Sequence, residues 1–297
     1  MTNDIETLIT ALYVKIDDEL GGPRLLGRPP ALSDSELVCL AVAQALLGFT
    51  SEAQWLRYAR KHLAGMFPYL PQQSGYNKRL RAGLGLVKRV IRMLARSSDF
   101  WLDGCWIADS TPVPCGMSRS TVQRSDLGGW AGYGYCASHS RFFWGLRLYL
   151  VCTPAGMPIL WALADPKLGE REVLAAMLEV EADVVAGHDG ILLITDKGFA
   201  GRGFEQLLAS YSITLLRPSR ADEQARYGEP MLKKVRQLIE SVNDTLKGQL
   251  DLEGHGGRSY AGVAIRVAQR ILAMAAAIWR NNQTGAPVTR SLIAYDH

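Results

Sequence analysis

Two short apolar runs in this chain each end on an aspartate: Cys105-Trp106-Ile107-Ala108-Asp109 and Ile191-Leu192-Leu193-Ile194-Thr195-Asp196. Runs of this length, bounded by turn residues, read as buried strands. The segments FFWGLRLYLVC and PILWALA read as two further strands, joined by the turn TPAGM. A helix is expected from Gly169 to about Ala182, with Glu170 and Glu172 in its first turn. Another is expected around Phe204 to Ala209, then the strand SITLLRP, then a long helix from about Met231 to Leu250. From residue 100 onward the expected order is therefore β-β-β-α-β-α-β-α.

Few small α/β domains share that order. It is the element order of a ribonuclease H-like fold, a mixed β-sheet flanked by helices. The first hundred residues read differently, as helix throughout. Ser33-Asp34-Ser35-Glu36 has the S-x-x-E pattern of a capping box, and the run LVCLAVAQALL that follows is apolar nearly all round, which predicts a buried helix. A second helix is expected after Thr50 and Ser51, and a third, strongly basic one from about Tyr76 to Arg96. The chain thus divides into an all-helical region over 1–99, the α/β domain over 100–250 and a helical extension over 251–297. The basic, aromatic-bearing helices suit a DNA-binding module of the helix-turn-helix kind.

Composition narrows the class. With 297 residues, 48% of them hydrophobic and 21% charged, the chain reads as a soluble globular protein rather than a disordered or collagenous one. Its five cysteines (Cys39, Cys105, Cys115, Cys136, Cys152) form no CxxC pair and read as reduced thiols, mostly in the core, of a cytosolic protein. Asp4 and Glu6 stand where a signal peptide needs positive charge. Of the two longest apolar stretches, Leu37 to Phe49 is short and holds Gln44, and Tyr260 to Trp279 holds Arg266, Gln269 and Arg270, so neither reads as a membrane span. The net charge is only +4, but it is unevenly spread. Ten basic residues and no acid lie between Arg57 and Arg96, whereas Asp165 to Glu205 carries nine acids against four bases. Basic ends around a carboxylate-rich middle suit a polyanion held at a metal site; the alternative is a pair of solvated helix faces.

Three acids fall where the expected fold converges: Asp109 after the first strand, Asp196 after the fourth, and Glu240 on the last helix, in RQLIESVNDTLK. Adjacent central strands would set the two aspartates side by side at their carboxyl ends, where open α/β sheets carry their sites. Three carboxylates without matching bases repel one another unless they bind cations, and hard oxygen ligands suit Mg²⁺, two ions of which can bracket a phosphodiester. Each acid also has a plainer reading: Asp109 organising a Ser-Thr-Pro turn, Asp196 capping the next helix, Glu240 pairing with Arg236.

At these residues the sequence resembles the DDE transposases of bacterial insertion sequences, most closely the 982 family. LSDSELVCLAVAQ, ADSTPVPC, RSDLGGWAGYGYCASHSRFFWGLRLYLV, DKGFAGRGFEQLL, LLRPSR and RQLIESVNDTLKGQLDLEGHGGR carry the resemblance, which runs on to the terminal SLIAYDH. It implies that Asp109, Asp196 and Glu240 are the catalytic, metal-binding triad, with Mg²⁺ as cofactor and Mn²⁺ able to substitute. The family pattern Arg-x3-Glu-x6-Lys is present as Arg236, Glu240 and Lys247, while Lys233 replaces a tyrosine and Tyr149 a histidine found in related groups. Only 44 residues separate Asp196 from Glu240, too few for the large insertion domain of some relatives.

The implied partners are double-stranded DNA, both the element's terminal inverted repeats and the target, and a second copy of the chain in a synaptic homodimer. The expected setting is the bacterial cytoplasm, on the nucleoid when DNA is bound, with no membrane. No nucleotide cofactor is implied, and no GxxxxGK[ST] motif occurs. DNA contacts are expected from Lys197, Arg236, Lys247 and Arg258, and from Arg57, Arg60, Lys61, Lys78, Arg79 and Arg81. On an unbroken helix Lys247, seven residues after Glu240, would share its face. His139 reads either as a phosphate donor or as a packed loop residue, and Trp101, Trp106, Trp130, Trp144 and Trp161 read mostly as core. Two other functions stay open: a ribonuclease H-like nuclease that hydrolyses without joining, and a DNA-binding protein without activity.

Overall fold

The computed structural model describes residues 3–20, 30–116, 118–136, 140–221, 223–224, 228–288, 292 and 295, with the side chains of Asn3, Asp4, Lys233 and Arg236 outside the description. The chain forms two compact units, Met1–Leu94 with Thr245–His297, and Ala95–Asp244. The first is helical: α1 (Asn3–Leu20), α2 (Asp34–Leu46), α3 (Glu52–His62), α4 (Gln73–Ala82) and most of α5 (Leu84–Arg96), then, after the elements of the second unit, a π-helical turn (Thr245–Gln249) and α11 (Tyr260–Thr284). The second unit holds β1 (Cys105–Gly116), α6 (Arg119–Gln123), β2 (Gly132–Cys136), β3 (Arg141–Cys152) and β4 (Pro158–Ala164). It continues through α7 (Glu170–Val180), α8 (Ala182–Ala186), β5 (Ile191–Ile194), α9 (Arg202–Ser210), β6 (Ile213–Leu216) and α10 (Leu232–Asp244).

In the helical unit α2 starts with the expected capping box: Glu36 N–H donates to Ser33 Oγ (3.0 Å), and Ser33 N–H to Glu36 Oε2 (2.6 Å). Its apolar circumference is buried. The basic helix expected from Tyr76 to Arg96 is two helices, because Gly83 ends α4 by donating its N–H to the Arg79 and Leu80 carbonyls. Among the described residues α11 is the one helix long and apolar enough to cross a membrane, yet 89% of its most apolar window is buried within the protein. Its polar residues form an internal seam. Arg266 pairs with Glu52, and Gln269 Nε2 donates to the Ala41 carbonyl (2.7 Å) and to Gln44 Oε1 (3.1 Å), which also accepts from Tyr76 Oη (2.9 Å). Arg270 Nε donates to the Leu250 carbonyl (2.6 Å). Burial, with repulsion from Arg266, pulls the Arg270 pKa down to about 10 against the opposing attraction of Asp251.

The second unit is built on one mixed sheet in the order β2-β3-β1-β5-β6, with β4 also paired to β3. β3 is antiparallel to β1, β2 and β4, and β1, β5 and β6 run parallel. The path β4-β3-β1-β5-β6, antiparallel and then parallel with helical crossovers, is the ribonuclease H-like arrangement. Amphipathic helices cover the sheet, α7 through Val173, Leu174, Met177 and Leu178, α9 through Phe204 and Leu208. Beyond β6, the buried Arg217 guanidinium meets both Glu223 oxygens (2.7 and 2.8 Å) and Glu205 Oε1 (3.2 Å).

Two stretches depart from the expected order. β1 does not stop at Ser110 but runs on through Thr111-Pro112-Val113-Pro114, paired to β3 as far as Gly116 with an irregularity at Pro114. Ser110, Thr111 and Pro112 are therefore strand residues, opposite Tyr149, Leu148 and Arg147, and no Ser-Thr-Pro turn exists for Asp109 to organise. β2 was not expected, since Gly132-Tyr133-Gly134-Tyr135 has the look of a loop. Packing requires its glycines: a Cβ on Gly134 would stand 2.6 Å from Pro166 Cβ and 2.7 Å from the Phe143 ring.

Candidate active site

The parallel pair β1/β5 aligns Cys105 with Leu192, Trp106 with Leu193 and Ile107 with Ile194. Asp109 and Asp196 each stand two residues beyond the last aligned pair, at equivalent places on neighbouring strands. The backbone past β5 remains ordered, because Thr195 N–H donates to the Leu216 carbonyl (3.1 Å). Asp196 then caps a single 3₁₀ turn, Lys197–Phe199: its Oδ1 accepts from Gly198 N–H (2.8 Å), and Phe199 is buried beneath. The capping role expected as an alternative to catalysis is thus present, on a turn rather than a helix.

A further acid joins the aspartates. Glu170, in the first turn of α7, accepts from Ser110 Oγ (2.7 Å) and from Arg147 Nη1 (3.1 Å). A Cβ placed on Gly198 would lie 2.8 Å from Glu170 Oε2 and 3.0 Å from Asp196 Oδ1. A methyl there would have to displace one or both carboxylates. Arg147, on β3, is the cation of the group: its Nη1 also reaches Ser110 Oγ (3.3 Å), and its Nη2 donates to the Tyr135 carbonyl (3.2 Å).

The electrostatics follow. Asp109 is pushed from the usual carboxylate range to about 6, chiefly by burial, with Asp196 and Glu170 adding repulsion. The Ser110 backbone and the Asn243 amide oppose the shift, and Asn243 Nδ2 donates to Asp109 Oδ2 (2.8 Å). A half-buried acid beside two more carboxylates is an all-oxygen donor set carrying excess negative charge, which fits a hard divalent cation.

Glu240 is exposed on α10, one turn before Asn243. Among the described residues, no three His, Cys, Asp or Glu side chains are disposed to hold a metal together, so the structure gathers the two aspartates and Glu170 without making a closed metal cage. Lys197 is exposed on the 3₁₀ turn after Asp196. Lys247 falls on the π-helical turn of the other unit, where Leu250 N–H bonds the Thr245 carbonyl five residues back. Arg236 lies on α10 with its side chain outside the described residues, as is the whole of His139. In the helical unit Arg57, Lys61, Lys78, Arg81 and Arg258 are exposed. Arg60 is tied to the Pro71 carbonyl (2.7 Å), and Arg79 to the Leu32 carbonyl and to Asp34 (2.7 Å). Sequence reasoning missed Ser110, Arg147 and Asn243 as members of the site; Glu170 had been noticed only as a helix-start acid.

A ribonuclease H-like sheet with carboxylates gathered beside its central parallel pair defines the class. Residues 101–276, more than half the chain, match the family described as Transposase DDE domain, and the chain belongs to that family. Such transposases generally use divalent metal ions. No curated protein matches the chain. Among solved structures it is similar to the Mos1 strand transfer complex (13% identity, 89% of this chain and 81% of that one, TM-score 0.32). It is also similar to the catalytic domain of Mos1 mariner transposase (12% identity, 70% and 95%, TM-score 0.25). Scores this low define no residue correspondence, and the fold is read from its own strand order.

Proposed function

We propose that this chain is the transposase of a bacterial insertion sequence of the 982 kind. It binds the terminal inverted repeats as a homodimer, cuts the element ends and joins the freed 3′-hydroxyls to target DNA. The observation that carries this reading is the equivalence of Asp109 and Asp196 across the β1/β5 ladder, with the Asp109 carboxyl raised to about 6. With Glu240 they would hold two divalent cations, which activate the attacking oxygen and stabilise the leaving one. The protein's own residues do the rest. Asn243 and the Ser110 backbone fix the Asp109 carboxylate, Gly198 orients Asp196, and Arg147 holds Glu170 against Ser110. In the joining step one phosphoester bond forms as another breaks, so no nucleotide hydrolysis is needed. The exposed bases Arg57, Lys61, Lys78 and Arg81, with Lys197, Arg236, Lys247 and Arg258, supply phosphate contacts.

The test uses the full chain, Mg²⁺ and a duplex carrying the inverted repeat that flanks the coding region. The expected products are nicked ends and end-to-target joints, both lost in Asp109→Asn, Asp196→Asn and Glu240→Gln. Cleavage without joints would make the protein a nuclease. Cleavage retained in any one of the three variants would remove that residue from the triad.

A further inference from the structure

The β2–β3 edge of the sheet carries large aromatic side chains in solvent. Phe142 is 78% exposed, Tyr133 59%, Trp130 52% and Tyr135 46%. The strand register explains the grouping. Tyr133 faces Trp144 and Tyr135 faces Phe142 across the β2/β3 ladder, so these side chains share one face of the sheet. Phe142 and Leu150 are both even-numbered on β3, and Leu150 pairs with Asp109, so that face is also the face of Asp109. The Tyr135 and Phe142 rings touch edgewise, centroids 4.9 Å apart and tilted by 54°, which leaves their outer surfaces open. On the opposite face of the sheet, odd-numbered Arg147 ties the β2 backbone to Glu170. One guanidinium, that of Arg147, bonds Glu170 on one side and the Tyr135 carbonyl on the other.

A cluster of exposed aromatics on an edge strand calls for an occupant. Its charge says which. From Ser118 to Arg147 the chain carries Arg119, Arg124, Arg141 and Arg147 against the single acid Asp126, and the first three arginines are exposed. A second copy docking by this edge would set the same cations against one another. A polyanion whose flat bases stack on rings while its phosphates meet arginines satisfies both features. We propose that Tyr133, Tyr135 and Phe142 form a stacking platform for unpaired bases of a DNA strand leading to the acid site. The proposal rests on the transposase reading for its ligand and extends it: the strand beside the cleaved phosphate is held single-stranded, base against ring.

The experiment uses the full chain without metal and two DNA probes, a blunt duplex and the same duplex with a ten-nucleotide single-stranded tail bearing 2-aminopurine. The wild type is expected to prefer the tailed probe and to quench its fluorescence. Tyr135→Ser/Phe142→Ser should lose that preference by about fivefold to a hundredfold, with blunt-duplex affinity and melting temperature unchanged. Phe142→Trp should keep the preference, because a larger ring stacks as well. Equal affinity of wild type and double variant for the tailed probe, or an unquenched tail, would overturn the platform. A drop from dimer to monomer in the double variant, with tail binding intact, would overturn it in favour of a self-interface. Mg²⁺-dependent cleavage of blunt repeat DNA is scored separately. Cleavage without quenching refutes the platform alone, and quenching without cleavage refutes the transposase reading alone.

Discussion

Asp109 makes a prediction that runs against the usual behaviour of a functional carboxylate. Its pKa stands at about 6 against an ordinary value of 3.8. In the native state it therefore holds its proton more tightly than in the unfolded chain. Between those two values the folded state binds more protons than the unfolded one, so stability falls as pH rises from about 4 to about 6, and the penalty is complete above that. Two pKa units correspond to about 3 kcal/mol. Asp109→Asn removes the charge and keeps an oxygen to accept from Asn243, whose bond to the charged form is already contained in the raised pKa. The expected result at pH 8 is a gain of about 3 kcal/mol, which for a unit of this size is roughly 6–12 °C in melting temperature.

The assay is thermal unfolding of wild type and Asp109→Asn in a chelating buffer, from pH 4 to pH 8. The two curves should coincide near pH 4, where the wild-type carboxyl is protonated, and separate as pH rises through 6, with the inactive variant the more stable. Adding Mg²⁺ at pH 8 should raise the wild type alone, because a cation bound only to the folded state stabilises it by mass action. A variant less stable than wild type at pH 8, or a difference independent of pH, would refute the account of Asp109 as a charge held at a cost for chemistry.

Gly198→Ala puts a methyl 2.8 Å from Glu170 Oε2 and 3.0 Å from Asp196 Oδ1. Both atoms end movable side chains, so melting should shift little while cleavage falls about ten- to hundredfold from misplaced acids. Glu223→Ala leaves the buried Arg217 guanidinium with Glu205 as its one carboxylate among the described partners and should cost about 3 kcal/mol in chemical denaturation, without a specific effect on cleavage by the folded fraction. Asn243→Ala removes a donor that holds the Asp109 pKa down, so the pH midpoint of Mg²⁺-dependent cleavage should move upward, with activity recovered at pH 8. Glu240→Gln should instead abolish cleavage at every pH; a mere midpoint shift there would exchange the roles of the two α10 residues.

What sequence showed and what it hid divides along physical lines. Strands that are apolar on both faces announce themselves as apolar runs: PILWALA matches β4, Pro158–Ala164, and the run Ile191–Asp196 overshoots β5 by two residues. β2 gave no such sign, because its glycines answer to Pro166, Phe143 and Asp165, which come beside them only in the folded sheet. Of the tryptophans read mostly as core, Trp106 and Trp144 are buried and Trp130 is half exposed, since periodicity in a loop says nothing of burial. The bonds that complete the site join residues 60 and 134 positions apart, Ser110 to Glu170 and Asp109 to Asn243. Spacing along the chain cannot reveal such pairs.

The two aspartates were legible because a β ladder leaves little freedom. The parallel ladder sets Ile194 against Ile107, and continuing each strand by two residues brings Asp196 beside Asp109. The third acid sits on a helix, where packing of Leu232, Ile239 and Val242 selects a face rather than a single residue. Asn243 lies three positions beyond Glu240, about 60° around and roughly 4.5 Å along the helix, and it is the amide that touches Asp109. Electrostatics give the reason. Asp196 and Glu170 already press the Asp109 pKa upward, and a third carboxylate in direct contact would press it further, whereas the amide donor lowers it. Direct contact with Asp109 therefore belongs to Asn243, and any catalytic partnership between Glu240 and the aspartates has to run through a cation held between them.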